Sequence, residues 1–149
     1  MKVGLVASSG GHLTHLWWLR RWWGEEERFW VTFDTLDALD RLQGEVMYRA
    51  VHPTNRSLGA LWRNLILARR VLRKERPDVL VTTGAGVALP FFIIGWLSGI
   101  PLVYLEVYDR IDRPSLTWRL LRPLLSVTLL QWPEQTEFAP AGIVVGRVR

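Results

Sequence analysis

The sequence predicts an α/β protein: an open, mainly parallel, doubly wound sheet of six or seven strands with helices on both faces. Three observations predict it. Short β-branched apolar runs alternate with helix-length segments along the whole chain. Two glycine turns, Ser9-Gly10-Gly11 and Thr83-Gly84-Ala85-Gly86, each follow such a run. An uncharged stretch from Val79 to Leu105 is cut by glycine and proline into strand, turn, helix and strand, the pattern of a buried βαβ unit. A chain of 149 residues, 49% hydrophobic and 22% charged, has room for one such domain, residues 1–149.

Val3 to Val6 is the first strand, and Ala7 to His12 reads as a strand-to-helix turn. Paired glycines let backbone N–H groups approach a ligand, and a helix start leaves unpaired donors, so Ser8, Ser9, Gly10 and Gly11 suit an anion. The turn lacks the third spaced glycine of a dinucleotide fingerprint and the Gly-Lys-Ser/Thr of a P-loop, and a tight turn packing strand on helix is the alternative. Leu13 to Trp23 is expected to be one helix. Five of the nine tryptophans (Trp17, Trp18, Trp22, Trp23, Trp30) fall near it, and apolar residues on most of its faces call for a subunit or membrane interface.

Arg28 to Thr32 is the second strand, Asp34 to Leu42 a short helix, and Glu45 to Val51 the third strand. After the loop from His52 to Ser57, whose serine can cap, a helix runs to about Arg73. Leu58, Leu61, Leu65, Ala68 and Leu72 are its expected core stripe, with Arg56, Arg63, Arg70, Arg73 and Lys74 on a flank. Val79 to Thr82, a helix over 87–98, and Leu102 to Leu105 follow. The apolar stretch containing them is longer than the roughly 20 residues that cross a bilayer, but its glycines and prolines argue against a span. A polar loop from Glu106 to Pro114, a helix from Ser115 to about Leu125, a strand from Val127 to Leu130 and a short strand at 143–145 complete the chain. Ligands of such sheets collect at the carboxyl ends of the strands, where both glycine turns, Glu106 and Gln131 are expected.

The net charge is +5, and from Arg49 to Arg76 eight basic residues face Glu75 alone, which points to an anionic partner: phosphate groups, a lipid surface or nucleic acid. The arginines are not interleaved with exposed aromatics, which argues against nucleic acid. Trp17, Trp18, Arg63 and Arg70 are the expected contacts to an anionic membrane surface. No cysteine is present, so no disulfide, thiolate nucleophile or Cys-type zinc site is available, and a reducing cytosol is the expected compartment. The N-terminal apolar run is too short for a signal peptide.

Ser8-Ser9-Gly10-Gly11-His12-Leu13, Thr83-Gly84-Ala85-Gly86 with Pro90-Phe91-Phe92 and Gly95, then Glu106, Arg110, Ser115-Leu116-Thr117 and Gln131-Trp132-Pro133-Glu134 carry a resemblance over nearly the whole chain. In order and spacing they resemble the PssD/EpsE type of bacterial polysaccharide glycosyltransferase subunit. That type is related to the acceptor-binding membrane subunit of the dolichol-pathway N-acetylglucosaminyltransferase. The first motif also resembles the Gly-Gly-His turn of MurG. The resemblance implies the Rossmann-like, N-terminal, acceptor-binding half of a GT-B enzyme whose donor-binding half is a separate chain. It implies transfer of a sugar of the GlcNAc, glucuronate or galactose class from a nucleotide diphosphate sugar, held by the partner, to a polyprenyl-pyrophosphate-linked sugar on the cytoplasmic face of the membrane.

Carried onto this sequence, the resemblance implies acceptor or phosphate contacts at Ser8, Ser9, Gly10, Gly11, Thr83, Gly84, Gly86, Arg110, Ser115, Thr117, Gln131 and Glu134. An inverting transfer needs a base for the acceptor hydroxyl, and His12 is the first candidate, with a hydrogen bond to the loop as its alternative role. Glu106 is the second, as base or hydroxyl ligand, against pairing with Arg110. Arg110 and Arg113, interleaved with Glu106, Asp109 and Asp112, favour ion pairs over a metal, and the implied chemistry needs neither catalytic metal nor cofactor. Two departures matter. Trp118 stands where members carry glycine, and the membrane-spanning helix that opens the dolichol-pathway relatives is not seen, so membrane contact is expected to be peripheral. A stand-alone nucleotide- or phosphate-binding module without transferase activity is the alternative function.

Overall fold

A computed structural model describes residues 1–54 and 57–148; Asn55 and Arg56, expected in the loop and on the basic flank, lie outside them. The elements are β1 (Lys2–Val6), α1 (Gly11–Trp18), α2 (Arg20–Trp23), β2 (Glu27–Thr32), α3 (Leu36–Arg41), β3 (Met47–Arg49) and α4 (Leu58–Glu75). They continue with β4 (Val79–Thr82), α5 (Ala88–Leu97), β5 (Leu102–Leu105), α6 (Leu116–Leu121), β6 (Val127–Leu130) and β7 (Ile143–Val144). Short 3₁₀ turns span Arg122–Leu124 and Pro133–Glu137. The seven strands form one sheet in the order β3-β2-β1-β4-β5-β6-β7, and every described pairing is parallel. This is the doubly wound, Rossmann-like order, with its switch point between β1 and β4.

Alternate residues of each central strand feed two cores, as a sheet covered on both faces requires. Val6, Phe29, Val31 and Leu80 pack with Ala68, Val71, Phe91 and Phe92 beneath α4 and α5. Leu5, Trp30 and Val81 pack with Leu13, Leu16 and Trp23 beneath α1 and α2. Packing of β1 against β4 also puts the turns that follow them side by side.

The expected Leu13–Trp23 helix is broken at Leu19, whose N–H bonds back to Leu16 in a tighter turn. The break returns Trp23 to the protein: its indole N–H donates to the Leu16 carbonyl at 2.8 Å, and its ring packs on Trp17 and Trp30 at centroid distances of 5.5 and 5.3 Å. The surplus apolar face is thus largely covered within the chain. Trp17 belongs to this packing, a correction to its expected place on a membrane surface, whereas Trp18 and Trp22 remain exposed.

The core stripe of α4 agrees with expectation in part: Ala68 and Leu72 are buried and Leu61 and Leu65 half-buried, but Ala60, Asn64 and Val71 are buried as well and Leu58 is 84% exposed. Asn64 decides the rotation, accepting from the Val51 N–H at 2.8 Å and donating to the Val51 carbonyl at 2.9 Å. Both backbone groups at the end of the β3 segment are thereby satisfied by one side chain. Leu58, Trp62 and Ile66, four residues apart, form an exposed apolar stripe that continues into Arg69, Arg70 and Arg73. Ser57 caps this helix, its Oγ accepting from the Ala60 N–H. The helix expected over 115–125 ends at Leu121, where Pro123 turns the chain into a 3₁₀ turn.

Candidate active site

The carboxyl ends of β1, β4 and β5 open into a cleft of about 1150 Å³. It is lined by Ser8, Ser9, Gly11, His12, Gly86, Arg110, Ser115 and Thr117, all expected, by Asp109, which the sequence suggests only as an ion-pair or metal-cluster residue, and by His15, His52, Thr54 and Tyr108, which sequence reasoning did not single out. The turn before α1 has no side-chain cap, so the N–H groups of its first turn are unpaired, and neither serine hydroxyl is hydrogen-bonded among the described residues. The Gly10 N–H donates to Asp37 at 3.0 Å and is committed to the fold.

His12 is held from both ends. Its Nδ1 lies 2.9 Å from the Thr83 carbonyl, and the Thr83 Oγ1 donates to the His12 carbonyl at 2.8 Å. A carbonyl can only accept, so Nδ1 carries the proton and Nε2 is left with its lone pair. Burial lowers the pKa below the ordinary histidine value, the Thr83 bond and Asp109 acting in the opposite sense. The imidazole is therefore neutral near neutral pH and can act as a base. Gly84, with φ of +111°, sits where a Cβ would come within 2.6 Å of the Tyr104 hydroxyl and 3.3 Å of the His12 ring. Thr83 and Gly84 thus build the seat of His12 and are buried beneath the cleft instead of lining it.

Glu106 is not in the cleft, which corrects its expected position. It is 0% exposed and turned inward, accepting from the N–H groups of Val107 and Ser115 at 3.1 and 3.2 Å and from the Ser115 hydroxyl at 3.3 Å. Ser115 is the N-cap of α6, its Oγ taking the Trp118 N–H, and it contacts the buried Tyr104 hydroxyl at 2.7 Å. Burial raises the Glu106 pKa, the hydrogen bonds from Ser115 and Val107 opposing it. Arg110 forms no ion pair with Glu106, and among the described residues no three His, Asp or Glu side chains gather to hold a metal.

Gln131 is likewise a scaffold residue. Its amide donates to the Glu106 carbonyl at 2.9 Å and accepts from the Val148 N–H, and it is buried. Trp132 donates to the Tyr108 carbonyl, and Gln135 to those of Val107 and Arg110. Four carbonyls of the loop after β5 are thereby fixed, which holds Tyr108, Asp109 and Arg110 at the rim. Glu134 is exposed outside the cleft. The unexpected Trp118 fills the core beside Phe138, its indole N–H donating to Thr128.

No family model matches the sequence. The human UDP-N-acetylglucosamine transferase subunit ALG14 is 24% identical, over 99% of this chain and 83% of its own length. A transferase from Shewanella violacea, which moves N-acetylglucosamine to an N-acetylmuramyl-(pentapeptide) pyrophosphoryl-undecaprenol, is 27% identical over 97% of this chain and 42% of its own. This chain is a relative of these two transferases. Among solved structures, MurG of Acinetobacter baumannii superposes with a TM-score of 0.75 at 19% identity, covering 89% of this chain and 42% of that one. The fold is accordingly the Rossmann-like one that forms about half of the GT-B protein MurG. UDP-N-acetylglucosamine 2-epimerases share it, so the fold does not choose the chemistry. The chain spans less than half the length of the bacterial transferases it matches. No helix among the described residues is long and apolar enough to cross a membrane.

Proposed function

We propose that this chain is the acceptor-binding subunit of a two-chain GT-B glycosyltransferase that works on a polyprenyl-pyrophosphate-linked sugar. The observation that carries the reading is the seat of His12: a neutral imidazole with Nδ1 tied to Thr83 and Nε2 free, beside an uncapped helix start and two unpaired serine hydroxyls. The names of the relatives supply the substrate class, a UDP-sugar donor and a pyrophosphoryl-lipid acceptor.

In the proposed reaction the acceptor hydroxyl attacks the anomeric carbon, the bond from that carbon to the nucleotide diphosphate breaks, and the proton passes to His12 Nε2. The nucleotide diphosphate leaves with the bonding electrons. General-base help of this kind is worth about 10²- to 10⁴-fold. Ser8, Ser9 and the first N–H groups of α1 bind acceptor phosphate, with Arg110, Ser115 and Thr117 across the cleft. Glu106, buried under Ser115, shapes this wall and takes no proton from substrate. The donor is held by a separate chain.

The exposed stripe of Leu58, Trp62 and Ile66, flanked by Arg63 and Arg70, supports a peripheral seat on an anionic membrane. Its position on α4 makes this helix, more than the tryptophan-rich α1, the contacting element.

Copurification and transfer assays test the subunit reading. The isolated chain is expected to bind UDP-N-acetylglucosamine poorly and to transfer nothing until a donor-binding partner is added. Robust transfer by the single chain would refute the two-chain arrangement, and tight nucleotide binding without transfer would favour a stand-alone nucleotide-binding module.

A further inference from the structure

His15 follows His12 by three residues on α1, which puts both rings on the same side of the helix, and both line the cleft. Their surroundings differ. His12 is tied to Thr83, whereas His15 is 5% exposed and its Nδ1 is buried without a hydrogen-bond partner among the described residues. The ring lies against two other rings, Trp18 at 5.0 Å between centroids and Tyr108 at 5.2 Å.

An unsatisfied buried polar atom is disfavoured, and most such groups in folded proteins find a partner. A leucine, as at the neighbouring Leu13 and Leu16, would fill the same gap between two rings without that cost. Folding alone therefore gives no reason for an imidazole here, whereas a ligand in the cleft does. With Nδ1 shut away from solvent, Nε2 is the nitrogen left to face the cleft. A proton on Nε2 makes His15 a donor, next to a His12 whose Nε2 can only accept.

We infer that His15 binds the acceptor sugar: its Nε2–H donates to an oxygen on the sugar whose hydroxyl gives its proton to His12, and the half-exposed ring of Tyr108 supplies the apolar surface on which that sugar lies. This rests on the acceptor-binding reading above. The ligand class is a pyranose carried on a pyrophosphoryl lipid. Residues three apart on a helix have Cβ atoms about 5–6 Å apart, a span that one sugar ring bridges. A ligand lacking that oxygen forgoes the bond from Nε2–H, a loss of about tenfold in affinity for one hydrogen bond.

The test uses the full chain labelled with ¹⁵N, observed through the imidazole nitrogens, and two probes: farnesyl pyrophosphate and farnesyl-pyrophosphoryl-N-acetylglucosamine. The free chain is expected to show His12 protonated on Nδ1 and His15 on Nε2. The sugar-bearing probe shifts both rings; farnesyl pyrophosphate leaves His15 unmoved. His15→Phe keeps the aromatic stack and weakens the sugar-bearing probe about tenfold, one hydrogen bond's worth, with farnesyl pyrophosphate unaffected. His15→Gln, which retains an N–H donor, restores most of that affinity and serves if the phenylalanine variant fails to fold. If the sugar-bearing probe shifts His12 but not His15, or if His15→Phe and His15→Gln bind both probes normally, the inference is overturned while the acceptor-binding reading stands. If neither probe moves either ring, the acceptor-binding reading falls and this inference with it.

Discussion

His12 and Thr83, 71 residues apart, hold each other by two hydrogen bonds, the imidazole Nδ1–H to the Thr83 carbonyl and the Thr83 hydroxyl to the His12 carbonyl. The pair joins the first turn of α1 to the end of β4 across the switch point of the sheet. It fixes tautomer and orientation together, because the ring is bonded to a backbone group that has no other protonation state. The two glycine turns thus form one device, in which the second turn seats the histidine of the first.

Thr83→Val keeps the shape of the side chain and the carbonyl but removes the hydroxyl donor. Turnover of the assembled enzyme is expected to fall roughly ten- to hundredfold through misplacement of the ring, with acceptor KM little changed. The stability loss should be about 1 kcal/mol, read by urea denaturation.

His12→Ala removes the proposed base. Turnover should drop by about 10²- to 10⁴-fold, with assembly and acceptor affinity retained. The half-buried ring bonds to Thr83, so a stability loss of about 1 kcal/mol is expected, more than for a free surface residue. Near-normal turnover would make His12 a loop anchor and nothing more.

The acid limb of the kcat/KM profile should lie below 6.5, the ordinary histidine value, because burial depresses the His12 pKa and the base must be neutral. Activity is lost as pH falls through that lowered value. Asp109 raises the His12 pKa, so Asp109→Asn should move the limb further toward acid. A limb above 6.5 would contradict the burial argument.

Glu106→Gln tests the buried network. An amide oxygen can serve only one side of the site, so an N–H group of Val107 or Ser115 meets the amide NH₂, and a loss of about 1–3 kcal/mol is expected. Burial raises the folded-state pKa above the ordinary 4.5, so the Glu106 contribution is fully present below 4.5 and declines as pH rises through the raised value. That decline should vanish in the glutamine variant, measured as stability across pH. A variant as stable as the parent but inactive would return Glu106 to catalysis.

Vesicle flotation tests the α4 face. Binding to anionic vesicles should weaken with salt and with charge reversal at Arg63 and Arg70, each cation contributing about 1 kcal/mol. Trp62→Ser should weaken it as well, whereas Trp17→Leu should act mainly through stability, since Trp17 packs against Trp23 and Trp30. Equal binding to neutral vesicles would exclude the electrostatic part.

The order of elements and the carboxyl-edge placement of both glycine turns were determined by the sequence itself. Runs such as Val3–Val6 and Val79–Thr82 are apolar on both alternations because the sheet is covered on both faces, and the intervening segments repeat with helical period. His12, Ser8, Ser9, Arg110, Ser115 and Thr117 could be placed near one another from topology and motif.

What tertiary structure alone decided was orientation. Periodicity puts Ala68 and Leu72 of helix α4 in the core but also Leu58, which belongs with Trp62 and Ile66 on the exposed face; the two bonds between Asn64 and Val51 set the rotation that buries Ala60 and Asn64 instead. The break at Leu19 follows from the return of Trp23 to Leu16 and Trp30, a contact invisible to local propensity. Glu106 ends a strand, where a side chain can turn either way, and the N–H groups of Val107 and Ser115 draw it inward. His15 gave no signal beyond its spacing from His12, because a missing hydrogen bond exists only once Trp18 and Tyr108 have closed around the ring. Periodicity is a property of neighbours along the chain, whereas burial and hydrogen-bond satisfaction are settled by groups that the fold brings together from far apart.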